Sequence, residues 1–190
     1  MPQPYWEIIS GCWVVFWVYW SLNPRRLHAS KLQASLIFTI INTALFYIGF
    51  ALVLLGRVVI GPLALRLTSD AIPVEIVGTT LVITGVALAI WSRRVLGVNW
   101  SGAVRITQGQ RLVRDGPYAI VRNPIYSGMV LAIFGTALVA GTLGALLGFI
   151  LASASLWRKG RMEERFLLAE FGEEYAVYQR DVKFLIPFVV

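Results

Sequence analysis

The run Arg114-Asp115-Gly116-Pro117-Tyr118-Ala119-Ile120-Val121-Arg122-Asn123-Pro124-Ile125-Tyr126-Ser127-Gly128 decides how this chain folds. It is a polar, turn-rich lip between two strongly apolar stretches, and its two prolines dictate the local backbone. Gly116-Pro117 forces a turn. Asn123-Pro124 starts a helix, because proline fixes φ near the helical value and biases its predecessor away from α. Tyr118, Arg122 and Tyr126 are thereby held on stiff backbone at an apolar boundary. Solvation alone does not require that arrangement.

Downstream of the lip, residues 125–157 are almost uncharged and are interrupted by Gly141-Thr142-Leu143-Gly144. At about 1.5 Å per residue a single helix of that length would overshoot roughly 30 Å of hydrocarbon. The spacing therefore predicts a tight hairpin of two short helices. Residues 158–183 then read as a charged amphipathic helix with Phe166, Leu167, Phe171, Tyr175 and Tyr178 as its apolar stripe. Upstream, 92–123 is the longest polar segment and holds six arginines.

Three apolar runs precede it, at 5–22, 35–56 and 72–91. The first is rich in Trp and Tyr. It does not fit a cleaved signal peptide, since Glu7 precedes it and Arg25, Arg26 and Lys31 follow it. The loop 57–71 contains Gly61-Pro62. The third run carries Gly78 and Gly85, small enough for close helix contact, and Glu75, which reads as a carboxylate of the interface or first turn.

Composition agrees with this reading. The chain has 190 residues, 57% hydrophobic and 14% charged, where a soluble domain carries about a quarter charged residues. The fold class expected is an all-α integral membrane protein of about five transmembrane helices, with a cytoplasmic loop and a C-terminal amphipathic helix. Residues 1–190 form a single domain, with three spans in 1–91 and the loop, helical hairpin and C-terminal helix in 92–190. Cys12 and His28 are the only residues of their types, so an intramolecular disulfide, a cysteine metal site and an imidazole triad are all disfavoured. The net charge of +7 raises nucleic acid as a partner, but the basic residues flank apolar spans. With five spans, fifteen of the seventeen Lys and Arg fall on one side and only Arg57 and Arg66 on the other. Positive charge is retained in the cytoplasm, so the N-terminus is expected outside and the C-terminus inside.

The cytoplasmic groups form a constellation with chemical content. Gly109 and Gly116 allow backbone to approach a ligand, and Tyr118 and Tyr126 offer aromatic faces and hydroxyls. Arg122 can bind a carboxylate or phosphate bidentately. Glu163 and Glu164 beside aromatic rings suit a cationic ligand such as an ammonium or sulfonium. A purely structural reading stays open: a positive-inside loop closed by a helix whose glutamates pair locally with Arg158 to Arg165.

Gln110-Arg111-Leu112-Val113, Gly116-Pro117-Tyr118 and Arg122-Asn123-Pro124-Ile125-Tyr126-Ser127-Gly128 resemble the signature of the isoprenylcysteine carboxyl methyltransferase and phospholipid methyltransferase family. Glu163-Glu164-Arg165-Phe166-Leu167, Phe171-Gly172-Glu173-Glu174-Tyr175, Tyr178 and Ile186-Pro187 resemble its second block. The likeness covers about 91–190, and residues 1–90 match only as generic spans. It implies a membrane-embedded enzyme that uses S-adenosylmethionine and releases S-adenosylhomocysteine, with the C-terminal helix capping the cofactor pocket. By position, the resemblance assigns the cofactor to Gln110, Arg111, Leu112, Val113, Tyr118, Asn123, Pro124, Ile125, Tyr126 and Glu163. It assigns substrate contact to Lys159. Asn123 stands where the family usually has His, and Gln110 where it often has another, so no imidazole base is available at either position.

Methyl transfer from a sulfonium to an anion needs alignment and exclusion of water more than acid–base help. A carboxylate acceptor would be positioned by Lys159 or Arg122, whereas an amine would need Glu163 or Glu164 as base. The acceptor is expected to be lipidic or amphiphilic and to enter from the membrane lipids, with no nucleic acid and no obligate protein partner. The alternatives are a phospholipid or amine N-methyltransferase, a sterol-type reductase using a nicotinamide cofactor, and a non-enzymatic membrane protein of the same fold.

Overall fold

A computed structural model describes residues 4–22, 30–58, 60–97, 105–107 and 111–187. Among the described residues six α-helices carry the fold: α1 (Pro4–Leu22), α2 (Leu36–Leu54), α3 (Ile72–Leu96), α4 (Pro124–Ala140), α5 (Leu143–Phe171) and α6 (Glu173–Asp181). Two short strands, β1 (Ser30–Gln33) and β2 (Arg105–Thr107), pair antiparallel. Single 3-10 turns occupy Gly61–Ala64 and Gly116–Ala119. The strand pair and the first of these turns have no counterpart in the sequence reading.

The helices begin and end where local chemistry dictates. Ser35 caps α2 by accepting from the Phe38 amide, and Thr142 caps α5 by accepting from the Ala145 amide. Proline occupies the first turn of α3 and of α4. Gly141, at φ +69°, ends α4 in the left-handed region and lets α5 start two residues later. The α4–α5 hairpin is thus present, but its second arm is not short. Helix α5 runs for 29 residues, straight through the apolar stretch and into the charged segment. The amphipathic helix expected over 158–183 is instead the second half of α5 followed by α6. Gly172 separates them at φ +52° and ψ −126°, a conformation that residues with a Cβ avoid. The third helix also exceeds its expected bounds and ends at Leu96.

Small residues line the closest helix contacts. The most extensive helix contacts are α3 with α4 and α2 with α5. In the first, Gly85 faces Gly128 and Gly78 faces Gly135. A Cβ at any of these four would come within 3.0 Å of the opposing glycine's carbonyl oxygen. Gly49 and Gly148 stand in the same relation between α2 and α5. The close contact expected of Gly78 and Gly85 is present. The outside is apolar: Ile37 is 71% exposed, Ile40 57% and Val14 61%. A molecule that buries glycine and alanine while exposing isoleucine is suited to a lipid solvent, where backbone approach replaces hydrophobic burial as the source of helix association. Helices α2 and α3 are long and apolar enough to cross a membrane, and α4 is apolar but shorter, at 17 residues.

At the end of the bundle opposite the lip, residues 57–71 are strapped across the α4–α5 turn. The Leu67 amide donates to the Gly141 carbonyl and the Leu143 amide to the Leu65 carbonyl. Glu75, buried in the first turn of α3, accepts from Arg57 at 3.4 Å, and Arg57 also donates to the Val139 carbonyl. Arg66 pairs with Asp70.

The glycine contacts lead to a direct expectation. Gly85→Leu should lower stability in detergent by about 1–3 kcal/mol, the usual cost of overpacking. Gly11→Ala should leave it unchanged or raise it, because a Cβ there meets nothing within 4 Å. Thermal loss of the monodisperse species reads both. Equal melting of Gly85→Leu and the parent would contradict the close α3–α4 approach.

Candidate active site

The lip folds back onto α5 and the C-terminal tail. The tail runs beside residues 121–123: the Arg122 amide donates to the Lys183 carbonyl at 2.8 Å and the Asn123 amide to the Phe184 carbonyl at 3.1 Å. Ser127 Oγ donates to the Leu185 carbonyl at 2.5 Å. Tyr178 of α6 donates from its hydroxyl to the Tyr118 carbonyl at 2.6 Å, which fixes the 3-10 turn to α6. Arg114 reaches the Glu174 carbonyl at 2.7 Å and its carboxylate at 3.1 Å.

At the centre lies a buried ion pair. Arg122 Nε donates to Glu164 Oε1 at 2.5 Å, with the two side chains 7% and 4% exposed. The same guanidinium donates to the carbonyls of Gln179 and Val182. Glu164 also accepts from Arg161 at 3.2 Å and from the Tyr175 hydroxyl at 3.3 Å. Phe184, 2% exposed, lies against both the Arg161 and Arg122 guanidiniums, which stand 4.4 and 5.9 Å from its ring centre. A buried pair is tolerated only where its remaining hydrogen-bonding capacity is met, and here it is met by named partners.

The neighbouring glutamate has another setting. Glu163 points about a third of a turn away from Glu164 on α5. The Tyr126 hydroxyl sits 2.8 Å from both of its carboxyl oxygens. Lys159 Nζ lies 5.7 Å from the Tyr126 ring centre. Gly160 makes this docking possible, because a Cβ there would stand 3.3 Å from Tyr126 Cδ2 and 2.8 Å from Phe184 Cζ. Burial pushes the Glu163 carboxyl above the ordinary glutamate range, opposed by the Lys159 charge and the Tyr126 hydrogen bond. Burial likewise raises the Tyr118 phenol, helped by the negative charge of Glu163. The Tyr178 phenol is pushed up to about 12 by burial, against the pull of Arg122 and Arg114. The phenols of Tyr118, Tyr175 and Tyr178 stay neutral at physiological pH.

The structure therefore brings together Tyr118, Tyr126, Lys159 and Glu163 in one place and Arg122 and Glu164 in another, one helical residue apart. Pro124 and Ile125 are buried behind the first group as the start of α4. Asn123 lies beside them, and its Nδ2 is buried with no hydrogen-bond partner. Arg111 is exposed and Leu112 and Val113 half-buried. Gln110 lies outside the described residues. Sequence reading missed Phe184 and Gly160. The local pairing of a glutamate with the arginines of 158–165, left open there, is present between Arg161 and Glu164 at the i, i+3 spacing.

Removing either member of the buried pair should be costly. Arg122→Gln or Glu164→Gln is expected to destabilise by about 3–5 kcal/mol, because the remaining charge stays buried and unpaired. The Arg122→Gln/Glu164→Gln double variant should lose less than the two single losses added together. Detergent melting curves give these values, and limited proteolysis should show 173–187 released first in the single variants. Single variants that melt with the parent would contradict a pair that clamps the lip.

Similar proteins can now be set beside this geometry. The family described as phospholipid methyltransferase matches residues 74–174, which include nearly all of α3, the lip, α4 and the whole of α5. A protein-S-isoprenylcysteine O-methyltransferase of Schizosaccharomyces pombe is 35% identical over 82 residues, covering 41% of this chain and 34% of that protein. Methanethiol S-methyltransferase 2 of Bradyrhizobium diazoefficiens is 41% identical over 70 residues, covering 37% of this chain and 26% of that protein. A probable protein-S-isoprenylcysteine O-methyltransferase of Oryza sativa subsp. indica is 30% identical over 122 residues, 61% of this chain and 62% of that protein. The chain thus spans from about a quarter to about three fifths of the length of these relatives. With a match over more than half of its residues, taking in both the Tyr126–Glu163 contact and the Arg122–Glu164 pair, this membrane protein belongs to the phospholipid methyltransferase family.

Proposed function

We propose that this chain is an integral membrane methyltransferase that uses S-adenosylmethionine and methylates a lipidic or amphiphilic acceptor bearing a carboxylate. The observation that carries the reading is the Glu163 carboxyl held by Tyr126 in a desolvated position, with Lys159 against the same ring. The residues fit a donor of this kind. Glu163 offers a partner to a positive ligand, Tyr118 and Tyr126 offer aromatic surface, and the orphaned Asn123 Nδ2 is a donor waiting for an acceptor. Residues 111–113 and 123–126, with Gln110 beyond the described residues, would complete the pocket. When bound, S-adenosylmethionine supplies an electrophilic methyl group on a sulfonium.

The protein's own groups then have simple tasks. Lys159 attracts and orients an anionic acceptor, so no proton has to leave at the moment of transfer. Lys159, Tyr126 and Glu163 would hold acceptor and donor side by side, and the donor would supply the methyl group that turns the anion into a neutral ester. Arg122 and Glu164 act as positioning residues, because their buried pair fixes the segment that presents Tyr126. Packing of the lip against α5 and α6 limits the access of water to the part-buried Glu163. A thiolate acceptor, of the kind named for the methanethiol relatives, would meet the same requirements, since it too attacks as an anion.

The whole of 1–190 is read as one domain with α1 to α5 as five spans, N-terminus outside and C-terminus cytoplasmic. The two basic residues on the outer side support this orientation, because Arg57 pairs with Glu75 and Arg66 with Asp70, so neither leaves free positive charge there. Cysteines introduced at 58–70 should label only from outside, and those at 111–116 only from the cytoplasm. Labelling of both sets from one side would refute this topology.

Calorimetry in detergent should register S-adenosylmethionine and S-adenosylhomocysteine and give no heat with nicotinamide nucleotides. Glu163→Gln should weaken donor binding by about 1–3 kcal/mol, the worth of a charge-assisted hydrogen bond. The pH dependence follows from the raised Glu163 carboxyl. Only its ionised form attracts a cation, so parent affinity should fall as pH drops through that raised value, and Glu163→Gln should show no such fall. Tight binding of both sulfur nucleotides by folded Glu163→Gln would remove Glu163 from the site.

A further inference from the structure

A second concavity lies on the opposite flank of α5, away from Tyr126 and Glu163. It is a cleft of about 570 Å³ between α5, the first turn of α2 and α6. Its polar wall is Arg158, Arg161, Arg165 and Gln179, and its apolar wall is Phe38, Trp157 and Leu168 among others. Among the described residues its only acidic lining is Glu164, whose two oxygens are already engaged by Arg122, Arg161 and Tyr175. The Arg158 guanidinium rests on the Phe38 ring at 5.7 Å and that of Arg161 on the Trp157 ring at 5.4 Å. Arg165 is exposed and makes no hydrogen bond or ion pair among the described residues. The cleft therefore carries an excess of positive charge that the described residues do not neutralise.

Its position is as informative as its charge. Helices α2 and α5 run antiparallel, with Ser155 Oγ donating to the Asn42 carbonyl and Arg158 lying over Phe38. The cleft thus sits where the apolar part of α5 ends and that of α2 begins. Just beyond its rim, Leu36, Ile37, Ile40 and Ile41 of α2 face outward. Arginine held against aromatic rings directly above an outward apolar wall matches a molecule with an anionic head and hydrocarbon tails.

We propose that this cleft is a binding site for an anionic membrane phospholipid, distinct from the pocket around Glu163. The phosphate lies among Arg158, Arg161 and Arg165, and an acyl chain descends along the outer face of α2. The inference rests on the membrane placement of α2 and α5, and does not depend on the identity of the methyl acceptor.

The test counts lipid retained by detergent-purified protein in native mass spectrometry, offering phosphatidylglycerol or phosphatidylcholine of matched chains. The parent should retain phosphatidylglycerol about tenfold better. Each basic residue near a lipid surface is worth roughly fivefold in binding, so Arg158→Gln/Arg165→Gln should lose at least about fivefold of that preference. Arg180→Gln, an exposed arginine outside the cleft, should lose none and controls for net charge. If the double variant fails to fold, Arg165→Gln alone carries the test, since Arg165 holds no partner that the fold needs. Equal retention of the two lipids by the parent, or unchanged preference in the cleft variants, overturns the proposal. So does inorganic phosphate that displaces the lipid at equal concentration, which would make the site one for a soluble anion. Failure of the parent to insert into phosphatidylcholine bilayers would instead reject the membrane placement, and calorimetry with S-adenosylhomocysteine checks the Glu163 pocket independently.

Discussion

The Arg122–Glu164 pair is the interaction on which the rest of the site depends. Two charges withdrawn from water cost several kcal/mol each unless geometry and additional hydrogen bonds offset the loss. Here the offset comes from four separate segments. The guanidinium belongs to the lip, the carboxylate to α5, the Tyr175 hydroxyl to α6, and the carbonyls of Gln179 and Val182 to the end of α6 and the tail. None of these segments can leave without stranding a buried charge. Because Arg122 precedes Pro124 by two residues, fixing it also fixes where α4 begins and where Tyr126 points. Glu164 and Glu163 are adjacent on a rigid helix, so the clamp and the proposed ligand carboxylate are positioned together.

The bundle beneath gives this clamp a firm base. In a lipid solvent, burying large side chains brings little gain, and helices associate by close backbone approach and by polar contacts. The paired glycines of α3 with α4 and of α2 with α5 supply the first. Trp13 donating to Thr136, and Ser155 to the Asn42 carbonyl, supply the second. The glycine contacts set the relative height of α3 and α4, and α4 carries Tyr126 at its first turn. Packing deep in the membrane thus reaches the site through a helix start that proline has already defined.

Much of this was legible in the sequence, for local reasons. Pro117 and Pro124 act within a residue or two, so the 3-10 turn and the start of α4 could be read directly. The apolar runs and their glycine punctuation gave the helices and the α4–α5 hairpin. The length of α5 was hidden because bilayer thickness limits only its apolar part, and nothing between Trp157 and Phe171 stops a helix. Gly172 was hidden because the apolar stripe continues on its far side at Tyr175 and Tyr178. Tyr126, Glu163, Arg122 and Glu164 were named from the sequence, but the way they pair was not. That Arg122 would take Glu164 and leave Glu163 to Tyr126 depends on a contact across 42 residues, which no spacing encodes. Phe184 carried no signal at all: it belongs to a short apolar run at the tail, and only the fold places it against two guanidiniums.

The central claim is that this geometry transfers a methyl group to a membrane-borne acceptor. The most direct measurement incubates the purified protein in lipid bilayers with methyl-labelled S-adenosylmethionine and total lipid and protein extracts, then identifies the labelled product. The account predicts label in an amphiphilic ester, or in a thioether if the acceptor is a thiolate, in amounts that rise with the amount of folded protein. No label above that of a heat-inactivated sample, across all fractions and with S-adenosylmethionine shown to bind, would contradict it.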